Sequence, residues 1–214
     1  MTGTVDVAIQ PDTRCSSPAA LRESGPIVAG LVILGLLAQR AQGGTVGPTE
    51  ERAFRMVNDL PDFLERPVWV IMQGGSLAAV AVATVVASRR SPETAARLAV
   101  AGTASWASAK VIKRLVRRGR PADHLSGVTV RGARQSGQGF PSGHAAVAAT
   151  LAVIGSPVLA APQARLAWAL AIAVGGARQY VGAHLPLDVI GGAALGIASG
   201  AIAKLFAGER QRER

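Results

Sequence analysis

The chain is poor in cysteine and in aromatic residues. Cys15 is its only thiol, and aromatic side chains make up 4% of the 214 residues. A single thiol excludes an intrachain disulfide bond and a metal site built from several cysteines. Because 49% of the residues are nonetheless hydrophobic, the apolar mass is mostly Ala, Val and Leu. Small residues let helices pack closely in lipid, so this composition predicts a bundle of membrane helices.

Acidic residues are also scarce. The chain has 13 Asp and Glu against 23 Lys and Arg, which gives a formal net charge of +10. Such an excess makes nucleic acid a candidate partner. The basic residues, however, lie largely between apolar runs, where they anchor helix ends at a membrane surface. We therefore expect membrane lipids, and no nucleic acid, as partners.

Long apolar runs predict an all-α integral membrane bundle of six transmembrane helices. The clearest run is 68–88, which carries no charge and is followed by Arg89 and Arg90. The first run is shorter than a full span, and we interpret it as a retained membrane helix and not a cleaved signal. The six predicted spans are 26–38, 68–88, 94–112, 142–161, 164–183 and 186–204.

The polar segments define the remaining organisation. We predict a loosely attached tail over 1–24, a membrane domain over 25–207 and a charged tail over 208–214. Within 43–66, Phe54, Val57 and Leu60 recur at helical spacing among charged residues. This pattern predicts a short helix, lying either in the membrane interface or in an ordinary loop.

Gly192, Gly196 and Gly200 form a stripe of small residues along the sixth predicted span. Such stripes allow close contact between helices. We expect this stripe to pack inside the bundle, and the alternative is a seam between two copies in a homo-oligomer.

Six spans place the polar motifs on one membrane face. Lys113 and Arg120 follow the third span and His144 begins the fourth. Arg178, His184 and Asp188 lie around the loop between the fifth and sixth spans. If the third helix continues to Arg120, then Lys113 and Arg120 lie two turns apart on one helix face. Pro121 should end the helix there, because the residue before proline disfavours helical geometry.

These residue types suit chemistry on a phosphate. Ser142 is a good helix N-cap, which places Gly143 and His144 in a first turn where free N–H groups bind phosphate. Asp188 falls in the first turn of the last span and can accept a hydrogen bond from His184. That bond makes the second ring nitrogen a better nucleophile. We expect His184 at a helix entry, outside the packed core.

Arg178 is a cation within an apolar run, which is costly in lipid and therefore indicates function. A metal site is the alternative, since His144, His184 and Asp188 could ligate zinc. The cations of Lys113, Arg120 and Arg178 would repel a divalent ion and attract phosphate. The sequence also has no acidic cluster near the motifs for Mg²⁺. We therefore expect neither a metal nor another cofactor.

The spacing of three motifs resembles the type-2 phosphatidic acid phosphatase superfamily. The motifs are Lys113-x6-Arg120-Pro121, then Pro141-Ser142-Gly143-His144, then Arg178-x5-His184-x3-Asp188. The resemblance implies that His184 is the nucleophile, Asp188 its orienting partner and His144 the general acid. It also implies a phosphate cradle, formed by Lys113, Arg120, Ser142, Gly143 and Arg178. One departure is Ala177, where the family usually has serine.

The resemblance implies a metal-independent membrane phosphatase that hydrolyses a lipid-linked phosphomonoester or pyrophosphate. Phosphatidic acid, phosphatidylglycerol phosphate, a polyprenyl pyrophosphate and a polyprenyl-phosphosugar phosphate all remain candidate substrates. It also implies a bacterial plasma membrane location, with the site on the extracytoplasmic side. The alternatives are a related vanadate-dependent haloperoxidase, which six apolar spans disfavour, and a non-catalytic lipid-phosphate binding or transport protein.

Overall fold

The computed structural model of the protein describes residues 18–212, and its side chains from Ser24 to Phe206. All regular structure in this range is helical, so the predicted all-α class is confirmed there. The predicted C-terminal tail and most of the N-terminal tail lie outside the range of described side chains. The α-helices are α1 (Pro18–Gln42), α2 (Pro48–Asn58), α3 (Glu65–Gln73), α4 (Leu77–Ser88), α5 (Pro92–Val116), α6 (Pro121–His124), α7 (Gly143–Gly155), α8 (Ala161–Tyr180) and α9 (Pro186–Arg212).

Two of the described helices are long and apolar enough to cross a membrane. Ser24–Gln42 in α1 has a mean hydropathy of 1.5, and Pro186–Phe206 in α9 has one of 1.7. The bent pair of α3 and α4 makes a third if it acts as one span. By contrast, α5 carries Glu93, Arg97 and Lys110, and α7 is short. Apolar helices thus indicate membrane association, while the count of six spans stays a prediction.

The predicted span over 68–88 consists of two helices, which count as one span only as a bent pair. The α3 helix ends at Gln73 and α4 begins at Leu77, with a bend of 52° between them. Ser76 caps α4 by accepting a hydrogen bond from Ala79 N at 3.3 Å. At Gly75, a side chain would collide with the backbone carbonyl of His144. The bend therefore lets the chain pass closely against the first turn of α7.

The third predicted helix ends earlier than the proline rule indicated. Arg117 has a left-handed backbone with φ of 54°, which ends α5 at Val116. Arg120 instead caps the short α6 helix, where its backbone N–H donates to Asp123 Oδ2 at 2.7 Å. The condition for Lys113 and Arg120 to share one helix face is therefore not met, and the loop brings them together instead.

The glycine stripe of α9 packs against α7 of the same chain. Side chains at Gly192 and Gly196 would collide with the carbonyls of Ser142 and Ala146, and one at Gly200 would lie 2.8 Å from Val153 Cβ. This confirms packing within the bundle. A homo-oligomer through this stripe stays a prediction, and the described contacts of the stripe are with α7 of the same chain.

The predicted short helix between the first two spans is confirmed as α2. Its Phe54 and Asn58 are buried, and the Asn58 side chain donates to Thr129 O at 2.9 Å and Tyr180 O at 3.0 Å. Leu60 lies beyond the helix end and is exposed. The α2 helix is therefore fixed to the end of α8 and to the long loop before α7.

Candidate active site

A tight turn between α8 and α9 presents His184. The backbone N–H groups of Ala183 and His184 both donate to Arg178 O, at 3.1 and 3.2 Å. Gly182 has φ of 71°, and a Cβ there would lie 2.6 Å from Thr129 O. Glycine thus satisfies both the left-handed backbone and the close approach of the neighbouring loop.

His184 and Asp188 form a buried pair. His184 is 3% exposed and Asp188 is fully buried, so the expectation that His184 lies outside the packed core is wrong. His184 Nδ1 lies 3.5 Å from Asp188 Oδ2 and has no hydrogen-bond partner among the described residues, so the hydrogen bond expected between these two side chains is not made. Asp188 Oδ2 also accepts from Leu185 N at 2.9 Å. Since Nδ1 faces the carboxylate, Nε2 is the nitrogen on the far side of the ring.

The surroundings of His184 favour its neutral form. Burial and the cations of Lys113, Arg178 and Arg120 lower the pKa of His184 well below its usual value. A neutral imidazole keeps a lone pair on one ring nitrogen, and a nucleophile requires that lone pair.

Lys113 and Arg120 hold the loop before α7 against this turn. Lys113 Nζ donates to Gln138 O at 2.9 Å and to Gly139 O at 2.6 Å. The Arg120 guanidinium donates to Gly137 O at 3.0 Å, Ser136 O at 3.0 Å and Ala183 O at 2.7 Å. Both cations act electrostatically on His184. Both side chains donate to backbone carbonyl oxygens. The oxygens of a phosphoryl group are also hydrogen-bond acceptors.

Arg178 is a buried cation with open hydrogen-bonding capacity. It is 4% exposed, and its Nη1 contacts Met72 Sδ at 3.0 Å. Its Nε has no hydrogen-bond partner among the residues that the structure describes. An unsatisfied guanidinium N–H beside His184 suits an oxyanion. Ala177, the departure from the family pattern, is buried next to it.

The first turn of α7 completes the arrangement. Ser142 Oγ accepts from Ala145 N at 3.4 Å, which confirms Ser142 as the N-cap. Ser142 N donates to Asp188 O at 2.8 Å and ties this turn to α9. Gly143 begins α7, and His144 lies within electrostatic reach of Lys113 and Arg178.

The structure therefore brings the sequence-predicted site residues to one place. They are Lys113, Arg120, Ser142, Gly143, His144, Arg178, His184 and Asp188. The zinc alternative finds no support here, because no three His, Cys, Asp or Glu side chains in the described part of the chain are arranged to hold a metal ion.

Sequence reasoning missed Arg118 and Glu50. The Arg118 side chain is fully buried, and its guanidinium bridges Glu50 and Asp188. Arg118 was visible only as one of several cations before Pro121. Glu50 was visible only as one of the charged residues on the polar face of α2. An acidic residue 68 positions from its partner carries no sequence signal of the pairing.

A cavity of about 330 Å³ adjoins the site on the loop side. Its wall includes Arg120, Asp123, Arg134 and Gln135 together with the turn before His184. Polar and charged groups thus continue from the buried site toward the surface.

A sequence model of the PAP2 superfamily matches residues 94–212, which is more than half of the chain. The chain belongs to the PAP2 superfamily. The match contains all of the predicted site residues and Arg118, while Glu50 lies before it. The motif resemblance is thereby confirmed.

The chain is similar to several PAP2-related proteins. It is 38% identical over 118 residues to the decaprenylphosphoryl-5-phosphoribose phosphatase of two Mycobacterium tuberculosis strains, and this match spans 54% of the chain and 64% of that relative. LpxE of Aquifex aeolicus superposes with a TM-score of 0.67 and 26% identity, over 72% of this chain and 93% of LpxE. A transmembrane PAP2-type phosphatidylglycerolphosphate phosphatase of Bacillus subtilis superposes with a TM-score of 0.69 and 22% identity, over 89% of this chain and 100% of that one. The last of these supports the fold alone.

Proposed function

We propose that the protein is a membrane lipid phosphatase that hydrolyses a lipid-linked phosphomonoester or pyrophosphate through a phosphohistidine, without metal. The observation that carries this proposal is the buried pair of His184 and Asp188, with Nδ1 facing the carboxylate and three cations around the ring. Those cations supply charge stabilisation that metal ions supply in other phosphatases.

In the first step, His184 Nε2 attacks the phosphorus atom and the bond from phosphorus to the leaving oxygen breaks. His144 gives its proton to that oxygen. In the second step, water attacks the phosphorus atom of the phosphohistidine while His144 takes a proton from that water, and the P–N bond breaks. Lys113, Arg120, Arg178 and the N–H groups at the start of α7 bind the phosphoryl oxygens. The products are inorganic phosphate and the dephosphorylated lipid.

A polyprenyl-phosphosugar phosphate is the substrate that we favour among the four candidates. The named activity of the mycobacterial relatives, which are 38% identical, supports it. The polar cavity beside Arg120 also offers Asp123 and Gln135 as partners for sugar hydroxyls. Phosphatidic acid, phosphatidylglycerol phosphate and polyprenyl pyrophosphate are the comparison substrates.

The test is turnover of these four lipids by the purified protein in detergent, with and without excess EDTA and vanadate. We expect hydrolysis that survives EDTA, because cations of the chain replace the metal. Vanadate should inhibit, since it adopts five-coordinate geometry with His184 in an axial position. Activity lost in EDTA and restored by Mg²⁺ or Zn²⁺ contradicts the metal-free mechanism. Binding of lipid phosphate without any turnover supports the binding or transport alternative.

We further propose that six membrane crossings place the site on the extracytoplasmic face of a bacterial plasma membrane. The helical units are α1, the bent pair of α3 and α4, α5, α7, α8 and α9. An even number of crossings puts both termini on one side, opposite the site, and a site on the outer face places that side in the cytoplasm. A reporter enzyme fused after Arg214 should then be active only as a cytoplasmic reporter. A fusion that is active only in the periplasm contradicts this orientation.

A further inference from the structure

A buried ion network links α2 to the turn that carries His184. Arg118 Nη2 donates to Glu50 Oε2 at 2.7 Å, and its Nη1 donates to both Glu50 Oε1 and Asp188 Oδ1 at 3.0 Å. The side chains of Arg118 and Asp188 are fully buried, and that of Glu50 is 9% exposed. One guanidinium thus lies between two carboxylates, of which one belongs to the proposed nucleophile pair.

Glu50 also contacts the start of α9 directly. Its Oε1 accepts a hydrogen bond from Leu187 N at 3.1 Å, next to Asp188 in the chain. The backbone of Arg118 accepts from Gly139 N at 2.7 Å, within the loop that Lys113 and Arg120 hold. The carboxylate of Glu50 therefore fixes two things at once: the guanidinium of Arg118, and the helix end that carries Asp188.

The division of hydrogen bonds decides what Asp188 can do. Asp188 Oδ1 accepts a hydrogen bond from Arg118 at 3.0 Å, while Oδ2 accepts from Leu185 N at 2.9 Å and faces His184 Nδ1 at 3.5 Å. A guanidinium with one carboxylate partner prefers a bidentate pair, using both oxygens. Without the charge of Glu50, Arg118 would turn both donors to Asp188 and compete for Oδ2. By holding one side of Arg118, Glu50 leaves Oδ2 for the imidazole.

We propose that Glu50 and Arg118 are positioning residues that keep Asp188 oriented toward the nucleophile His184. This inference rests on the proposed phosphatase function. It assigns a role in the reaction to Glu50, which lies outside the residues that the PAP2 sequence model matches. The α2 helix is therefore part of the catalytic unit and more than a connection between membrane helices.

The decisive variant is Glu50→Gln, which keeps size and one acceptor but removes the charge. We expect kcat to fall about 10-fold, because Arg118 loses the charged partner that keeps it from both oxygens of Asp188. KM and the inhibition constant of inorganic phosphate should stay within about twofold, because the cradle cations that bind the phosphoryl group are untouched. A misfolded variant would instead show changes in KM, in the inhibition constant and in kcat together.

Glu51→Gln is the matched control on the same helix. Glu51 pairs with Arg55 at 2.8 Å on a partly exposed face and is not one of the proposed site residues, so this variant should keep wild-type kcat. Glu50→Asp retains the charge and should recover most of the rate that Glu50→Gln loses. Each variant is first checked for a monodisperse peak and for its melting temperature in detergent.

A monodisperse Glu50→Gln protein with wild-type kcat overturns the proposal, as does a loss that appears only in KM. If Glu50→Gln does not fold, Arg118→Lys decides. A lysine keeps the positive charge but cannot hold both carboxylates in a fork, so kcat should again fall about 10-fold at constant KM. Wild-type kcat in a folded Arg118→Lys protein overturns the proposal. Absence of turnover in the wild-type protein instead contradicts the proposed function itself.

Discussion

His184→Gln should remove turnover, with a loss of roughly 10³-fold or more in kcat, because the reaction loses its nucleophile. The glutamine amide cannot form a stable bond to phosphorus, while the cations that bind phosphate are kept. Glutamine is preferable to alanine at this position because His184 is only 3% exposed. Alanine would leave a large cavity, and the resulting loss of stability could not be told from a loss of chemistry.

Covalent trapping gives the direct measurement. Wild-type protein quenched during turnover of a labelled lipid phosphate should carry an acid-labile phosphate, and His184→Gln should carry none. His124→Gln is the matched control, since His124 lies on α6 and belongs to none of the three motifs. A His184→Gln protein that still incorporates label, or that turns over at a rate near wild type, contradicts the assignment of the nucleophile.

Residues of the site were predictable because each carries a local signal. Serine before Gly143 and His144 indicates a helix start, and the structure has Ser142 as the N-cap of α7. Four-residue spacing from His184 to Asp188 brings the two side chains together across the turn that begins α9. The cation of Arg178 within an apolar run is conspicuous in any membrane protein.

Helix boundaries near the site differ from the prediction at two places. The apolar run 68–88 contains Gly74-Gly75-Ser76, a turn signal that hydropathy alone passes over, and the chain bends there, where Gly75 meets the carbonyl of His144. Pro121 indicated a helix end at Arg120, whereas the left-handed backbone of Arg117 ends α5 sooner. Arg120 then donates to Ala183 O at 2.7 Å, a contact 63 positions along the chain that the local sequence does not indicate.

The pairing of Glu50 with Arg118 was beyond sequence reasoning for a different reason. Glu50 lies on α2 and Arg118 lies in the loop after α5. The two meet only where α2 packs against the ends of α8 and α9. Hydrophobic periodicity correctly placed Phe54 on the buried side of α2. It gave no reason to single out Glu50 among the charged residues nearby, because a buried carboxylate is rare unless a cation is paired with it.

His144→Gln should have the second large effect, and its size should depend on the leaving group. With a lipid phosphate, the departing alkoxide needs a proton, so loss of the general acid should lower kcat by about 10²- to 10⁴-fold. With nitrophenyl phosphate, the departing phenolate is a weak base and leaves without protonation. Formation of the phosphohistidine should then be nearly unaffected by the variant.

Hydrolysis of the phosphohistidine provides an independent test of this role, because His144 is also the proposed base for the attacking water. In His144→Gln, nitrophenyl phosphate should release one equivalent of nitrophenol in a burst while the labelled phosphoenzyme accumulates. His184→Gln should show neither burst nor label with either substrate, which separates the acid–base residue from the nucleophile. Equal losses on the lipid phosphate and on nitrophenyl phosphate, without accumulated phosphoenzyme, would contradict proton transfer by His144 and leave it only a role in binding phosphate.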